Sequence, residues 1–328
     1  MNSRVTMLVL ATMLFVTTGV AAQTPPQFVN EWGSMGNGQG ELNGPHDVAT
    51  AANGDIYVAD GFNHRIQKFN ATGVYILGWG SKGTGQGEFD EALSVAVDGI
   101  GNVYVSDNVN NRVQKFNSSG GFILEWGSTA PNSGSNPGEF NFPRGITADG
   151  ANNIYVTDST NHRIQKFDSS GNFIREWGSV GSAPGNFNWP RGIATDGSGN
   201  VFVTDDNFRC QKFDSTGAFI LQWGSEGSLN GQFRQPRGVA VDATGDVYIP
   251  DEVNNKVQRF DNNGNFILRW GSGGTNPGQF NRATGVHVGP NGDIIVADQL
   301  NHRIQIFSYS VPARPTTWGR IKSMYPGS

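Results

Sequence analysis

Tyr155-Val156-Thr157-Asp158-Ser159-Thr160-Asn161-His162-Arg163-Ile164-Gln165-Lys166-Phe167 is the stretch on which the fold turns. Two short β-branched and aromatic runs flank a polar Asp-Ser-Thr-Asn connection, which reads as a β-hairpin. Upstream lies Gly145-Ile146-Thr147-Ala148, and downstream lies Asn172-Phe173-Ile174-Arg175-Glu176-Trp177. With Asn153-Ile154-Tyr155-Val156-Thr157 as the second run, the segment contains four apolar runs of four to six residues, bounded by Gly, Asn, Asp and Ser. That pattern predicts one small four-stranded antiparallel sheet. Nothing in it holds a 3.6-residue period over ten residues, so helical solenoids are excluded.

The same unit recurs along the chain. Trp-Gly falls at Trp32, Trp79, Trp126, Trp177, Trp223, Trp270 and Trp318, at spacings of 47, 47, 51, 46, 47 and 48 residues. An Asp closing the second run falls at Asp60, Asp107, Asp158, Asp205, Asp251 and Asp298. Six four-stranded units are best accommodated by an all-β, six-bladed β-propeller, whose stacked sheets bury both faces. An open solenoid gives no reason for a unit split between the two ends. Phe28-Val29-Asn30-Glu31-Trp32-Gly33 matches a fourth strand and precedes any first strand, whereas the last unit, Asn281 to Phe307, has three convincing strands. The N-terminal strand is therefore expected to complete the last blade. Thr316-Thr317-Trp318-Gly319 is the competitor, weakened by Pro312 and Pro315.

Composition agrees with this reading. The 328 residues include 46 Gly, 15 Pro, 8 Trp and 21 Phe, with only 16% charged, which argues for turns and a packed aromatic core. Residues 1–22 read as a secretory signal, with Arg4, an apolar run from Met7 to Val20 and small residues at Val20-Ala21-Ala22. The run is short for a membrane span, and no cysteine follows it to take a lipid. A secreted, extracellular or periplasmic protein is expected. Residues 23–307 form the propeller, and 308–328 a basic-aromatic tail that is either a frayed terminus or a docking or sorting segment. The single Cys210 excludes an intrachain disulfide, and its matching positions elsewhere carry Ile or Val, which predicts a buried thiol. The net charge of −5 argues against nucleic acid as a partner.

The hairpin quoted above resembles the NHL repeat, as does the lead-in Gly185-Asn186-Phe187-Asn188-Trp189-Pro190-Arg191-Gly192-Ile193-Ala194. The resemblance extends over all six units, residues 27 to 307. It implies a six-bladed propeller but leaves function open, since the family includes RNA- and protein-binding domains, extracellular sensor domains of bacterial kinases and a metal-dependent peptide-amidating lyase. Streptogramin lyases are related in fold. Repeated Asp, Asn and Arg in the hairpins, such as Asp158, Asn161 and Arg163, read as architecture, with Arg pairing to Asp across the turn. Blade four shortens this turn to Asp205-Asp206-Asn207-Phe208-Arg209 and blade five substitutes Lys256. His64, His162 and His302 lie in these turns and are expected to be separated and solvent exposed.

Function is expected where the repeat breaks. The position entering each innermost strand reads His46, Leu93, Arg144, Arg191, Arg237 and Thr284. Three consecutive blades thus bring Arg144, Arg191 and Arg237 to one mouth of the channel, where guanidinium groups would hold a carboxylate, phosphate or acidic sugar. The plain alternative is that these arginines are solvated or paired with acids at strand ends. On the other arc, His46, Asp47 and His287 are candidates for an acid–base or divalent-metal site, with Zn or Ca as the metal. Gly44-Pro45-His46-Asp47-Val48 is similar to the lyase family's Pro-His-Asp, in which the His is a metal ligand; blades two to five offer no His there. No nucleophile elbow, phosphate-cradling loop or paired-cysteine motif occurs. The expected function is a binding or scaffold module without cofactor, for a protein, glycan or small anionic partner. The alternative is a metal-dependent lyase or hydrolase at the channel mouth.

Overall fold

The computed structural model describes residues 24–128 and 132–309. The signal segment 1–22 and all but the first two residues of the tail lie outside the described residues. Six four-stranded antiparallel sheets form the ring, and the N-terminal strand Gln27–Trp32 pairs with Arg303–Ser308, so it supplies the outer strand of blade six. This closure completes the last sheet, so the ring keeps only the short outer edges of its blades. No helix among the described residues is long and apolar enough to cross a membrane.

Burial follows position in the blade. All five residues of every second strand, for example Ile154–Asp158, are buried, because each second strand is sandwiched between neighbouring blades. Outer strands are more open: Tyr75–Trp79 alternates, and Phe173–Trp177 is exposed along most of its length. Blades also lock through aromatics: Trp126 at the end of one outer strand packs 5.6 Å from Phe167 of the next blade.

The repeated polar residues build the scaffold. Arg163 donates through Nε to Asp158 at 2.8 Å, and its Nη groups reach the Ser135, Asn136 and Glu139 carbonyls of the lead-in loop. Equivalent Arg–Asp pairs close blades one, two and six at 2.7–2.8 Å. In the shortened turn of blade four, Arg209 still reaches Asp205 at 3.1–3.3 Å. In blade five Lys256 turns to the Ser228 and Leu229 carbonyls, and Asn254 Nδ2 donates to Asp251 at 2.6 Å.

The turn histidines differ from the exposed groups expected. They are partly buried, and Nδ1 of His64, His162 and His302 accepts a hydrogen bond from the backbone N–H of Glu91, Trp189 and Gly44 in the following blade, at 3.1–3.2 Å. Asn111 and Asn255 do the same for Phe142 and Arg282 at 2.8 Å. These latches hold Glu91, Phe142, Trp189 and Arg282 in left-handed backbone, with φ of 49–71°.

The innermost strands of blades four and five are short, Ile193–Thr195 and Ala240–Val241. Blade five has a clear cause: Pro250 in its second strand has no N–H to give the ladder, whereas Thr204 at the matching position donates to Gly192 O at 3.1 Å.

Candidate functional site

His46, Leu93, Arg144, Arg191, Arg237 and Thr284 all line one cavity of about 280 Å³ at one mouth of the channel. Each stands where a lead-in loop turns into an innermost strand, so ring symmetry brings six positions from distant parts of the chain to one place. Directly below them lie Asp47, Ser94, Gly145, Gly192, Gly238 and Gly285, also in the cavity wall. Gly145 N donates to Arg191 O at 3.0 Å and Gly238 N to Thr284 O at 2.9 Å, which draws neighbouring inner strands into a collar. A Cβ on Gly192 would collide with the Arg237 carbonyl oxygen.

The three arginines are not equivalent. Arg191 pairs with Asp206, Nη2 to Oδ2 at 2.6 Å, and Arg237 Nε pairs with Glu252. Gln235 bridges them when its amide is oriented with nitrogen toward Glu252 at 3.2 Å and oxygen toward Arg191 at 3.1 Å. Arg282 adds a looser contact to Glu252 at 3.4 Å. Arg144 has no ion pair or side-chain hydrogen bond among the described residues, and its Nε is buried without a partner. Burial, reinforced by Arg191 and Arg237 nearby, pushes its guanidinium down to about 10, which still leaves it charged at neutral pH.

The reason lies one residue beyond the strand-closing Asp, where the blades read Gly61, Asn108, Ser159, Asp206, Glu252 and Gln299. Blades four and five carry both an arginine and an acid. Blade three carries Arg144 but Ser159, whose hydroxyl donates to Pro190 O. Sequence reading identified the arginines and missed this second position, although the signal was available in the same alignment of repeats.

His46 lines the same cavity from blade one, two blades from Arg144. Gln299 Nε2 lies 3.0 Å from His46 Nδ1, Glu91 Oε1 lies 3.5 Å from His46 Nε2, and the Phe62 ring packs edge-on at 5.2 Å. His46, and more weakly Arg144, hold the Glu91 carboxyl below its ordinary range against the cost of burial. Asp47 lies deeper. It accepts hydrogen bonds from Ser94 Oγ and from Val95 N at 3.3 Å, and burial raises its carboxyl to about 6.

His287 departs from the expectation that it lies beside His46. It lines a second cavity of about 150 Å³ on the far side of the collar, with Ala49, Ala96, Thr147, Ala194 and Ala240. His287 follows the mouth position Thr284 by three residues, so strand rise carries it about 10 Å along the channel. Asp47 lines both cavities. Burial presses the His287 imidazole down to about 4, so it is neutral at pH 7. Among the described residues, no three His, Cys, Asp or Glu side chains are grouped to hold a metal ion. The donor set for Zn or Ca thus falls short at His46 and Glu91.

Comparison with known proteins agrees with the repeat reading. A family model for the NHL repeat matches residues 42–69, 140–167, 233–260 and 280–307. A 45-residue stretch is 44% identical to the RING finger protein nhl-1 of Caenorhabditis elegans; the match spans 14% of this chain and only 5% of that protein. A streptogramin B lyase superposes with a TM-score of 0.58 at 17% identity, over 85% of this chain and 96% of the lyase. A gluconolactonase of Xanthomonas campestris gives 0.61 at 13% identity, over 87% and 95%. At such identities the structural likeness concerns the fold alone. Four matched repeats within six closed four-stranded blades make this chain an NHL-repeat β-propeller.

Proposed function

We propose that the propeller is a binding module that takes a small carboxylate-bearing molecule at the channel mouth, on Arg144. One observation carries this reading: three arginines converge on the cavity, and the two with an acid in their own blade use it, while Arg144 has none. A buried cation with no carboxylate in contact, only Glu91 and Asp206 at longer range, is costly, and an incoming carboxylate offsets that cost by charge-assisted hydrogen bonds of about 1.5–3 kcal/mol. The export reading of residues 1–22 is consistent with capture of such a molecule outside the cytoplasm.

Titration calorimetry with galacturonate, lactate and inorganic phosphate tests the proposal. Binding of one carboxylate per chain, weakened at least 10-fold in Arg144→Gln with unchanged melting, supports it. No binding, or equal binding by Arg144→Gln, rejects it. The enzyme reading has one supporting observation, the His46–Glu91 pair within reach of the same cavity. Turnover of a bound carboxylate, lost in His46→Ala, would favour it over simple binding.

A further inference from the structure

We infer that the carboxylate belongs to an acidic oligosaccharide, whose terminal uronate enters the cavity while the next sugars lie across Phe142 and Trp189 on the rim. The inference rests on the Arg144 reading above and adds the class of molecule.

The rim is built from the position two residues before each mouth residue. It reads Gly44, Glu91, Phe142, Trp189, Gln235 and Arg282 around the ring. The two aromatics are adjacent, in blades three and four, and each precedes a mouth arginine by two residues, Arg144 and Arg191. Phe142 is 39% exposed and Trp189 37% exposed, and Phe62 of blade one is 46% exposed, whereas Phe140 and Phe187 in the same two lead-in loops are fully buried. Both occupy left-handed backbone, φ 56° and 49°, a conformation that disfavours a bulky side chain. The latches from Asn111 and His162 hold them there, and the His162 ring supports Trp189 edge-on at 6.2 Å. Two partly exposed rings are thus held in strained backbone, two residues before Arg144 and Arg191 of the cavity wall.

The chemistry of the walls favours a sugar. A pyranose presents a face of C–H bonds to an aromatic ring and hydroxyls at its edge. Glu91, His46, Gln299, Ser94 and Thr284 provide acceptors and donors for such hydroxyls within the same cavity. About 280 Å³ is near the lower limit for ligand pockets, roughly 300 Å³, so it suits a single ring, and further residues must lie over the rim. An extended peptide ending in a carboxylate would instead call for a strand edge, and the rim offers side chains.

The test compares monomeric galacturonate with tri-galacturonate by titration calorimetry. Tri-galacturonate is expected to bind at least 10-fold more tightly, and its methyl ester not to bind. Phe142→Ala and Trp189→Ala should remove the advantage of the trimer and leave the monomer constant unchanged, while Trp189→Tyr retains it. Equal binding of monomer and trimer, or aromatic variants that keep the advantage, overturns the oligosaccharide and leaves the Arg144 reading standing. Tighter binding of a short peptide with a free C-terminal carboxylate than of the trimer also overturns it. If neither uronate binds in an Arg144-dependent way, the oligosaccharide falls, and the Arg144 reading falls with it unless lactate binds in an Arg144-dependent way.

Discussion

Asp47→Asn should stabilise the protein at alkaline pH, by an amount set by the burial of one carboxylate. Asp47 lies between the two channel cavities, and burial raises it from an ordinary 3.8 to about 6. Ser94 and Val95 donate to it and offset only part of that cost. Between these two values the folded protein holds more protons than the unfolded chain, so stability falls as pH rises through the window. At about 1.4 kcal/mol per pH unit, the displacement corresponds to about 3 kcal/mol at pH 8. An Asn carries no charge and offers an oxygen to the same two donors. Thermal unfolding of both proteins from pH 3.5 to 8 should show Asp47→Asn melting about 6 °C higher at pH 8, with the gap closing toward pH 4. Other groups titrate equally in both proteins and cancel. A gap that does not change with pH would refute the reasoning, and a less stable variant at pH 8 would mean that the carboxylate is held by a cation.

Two further outcomes test the scaffold. Gly192→Ala places a methyl against the Arg237 carbonyl in the collar and should cost about 1–3 kcal/mol, read as a lower urea midpoint; unchanged stability would mean that the inner strands are not closely packed. Cys210→Val should change stability by less than about 1 kcal/mol, because Val113 and Val257 fill the matching positions, and the wild-type thiol, pushed well above its usual range by burial, should react with a thiol reagent only on unfolding. Reaction in the native state would contradict its burial.

The architecture was legible because a repeat fold states each rule six times. Asp158 and Arg163 could be read as a structural pair from one hairpin and checked in others, and the missing fourth strand after Phe307 pointed to Phe28–Trp32 as its replacement. The mouth residues were legible for the same reason: equal places in equal units occupy equal places on a ring. The candidate site was harder. That Arg144 is the unpaired arginine depends on Ser159, 15 residues later, and this spacing acquires meaning only when the second strand folds back beside the lead-in. His287 appeared close to His46 because blades six and one are neighbours, but three residues of strand rise separate their levels in the channel. The roles of His64 and His162 were hidden because each acts on the next blade.

By itself, the sequence determined the six blades, their strand order and the identity of the mouth residues, and it favoured the N-terminal strand for the ring closure; these follow from local hydrophobic period and repetition. The tertiary structure alone decided which charges cancel, which histidine shares a cavity with Arg144, and which aromatic rings stay in solvent. Those outcomes depend on distances between blades and on depth along the channel, which a linear pattern of residue types does not contain.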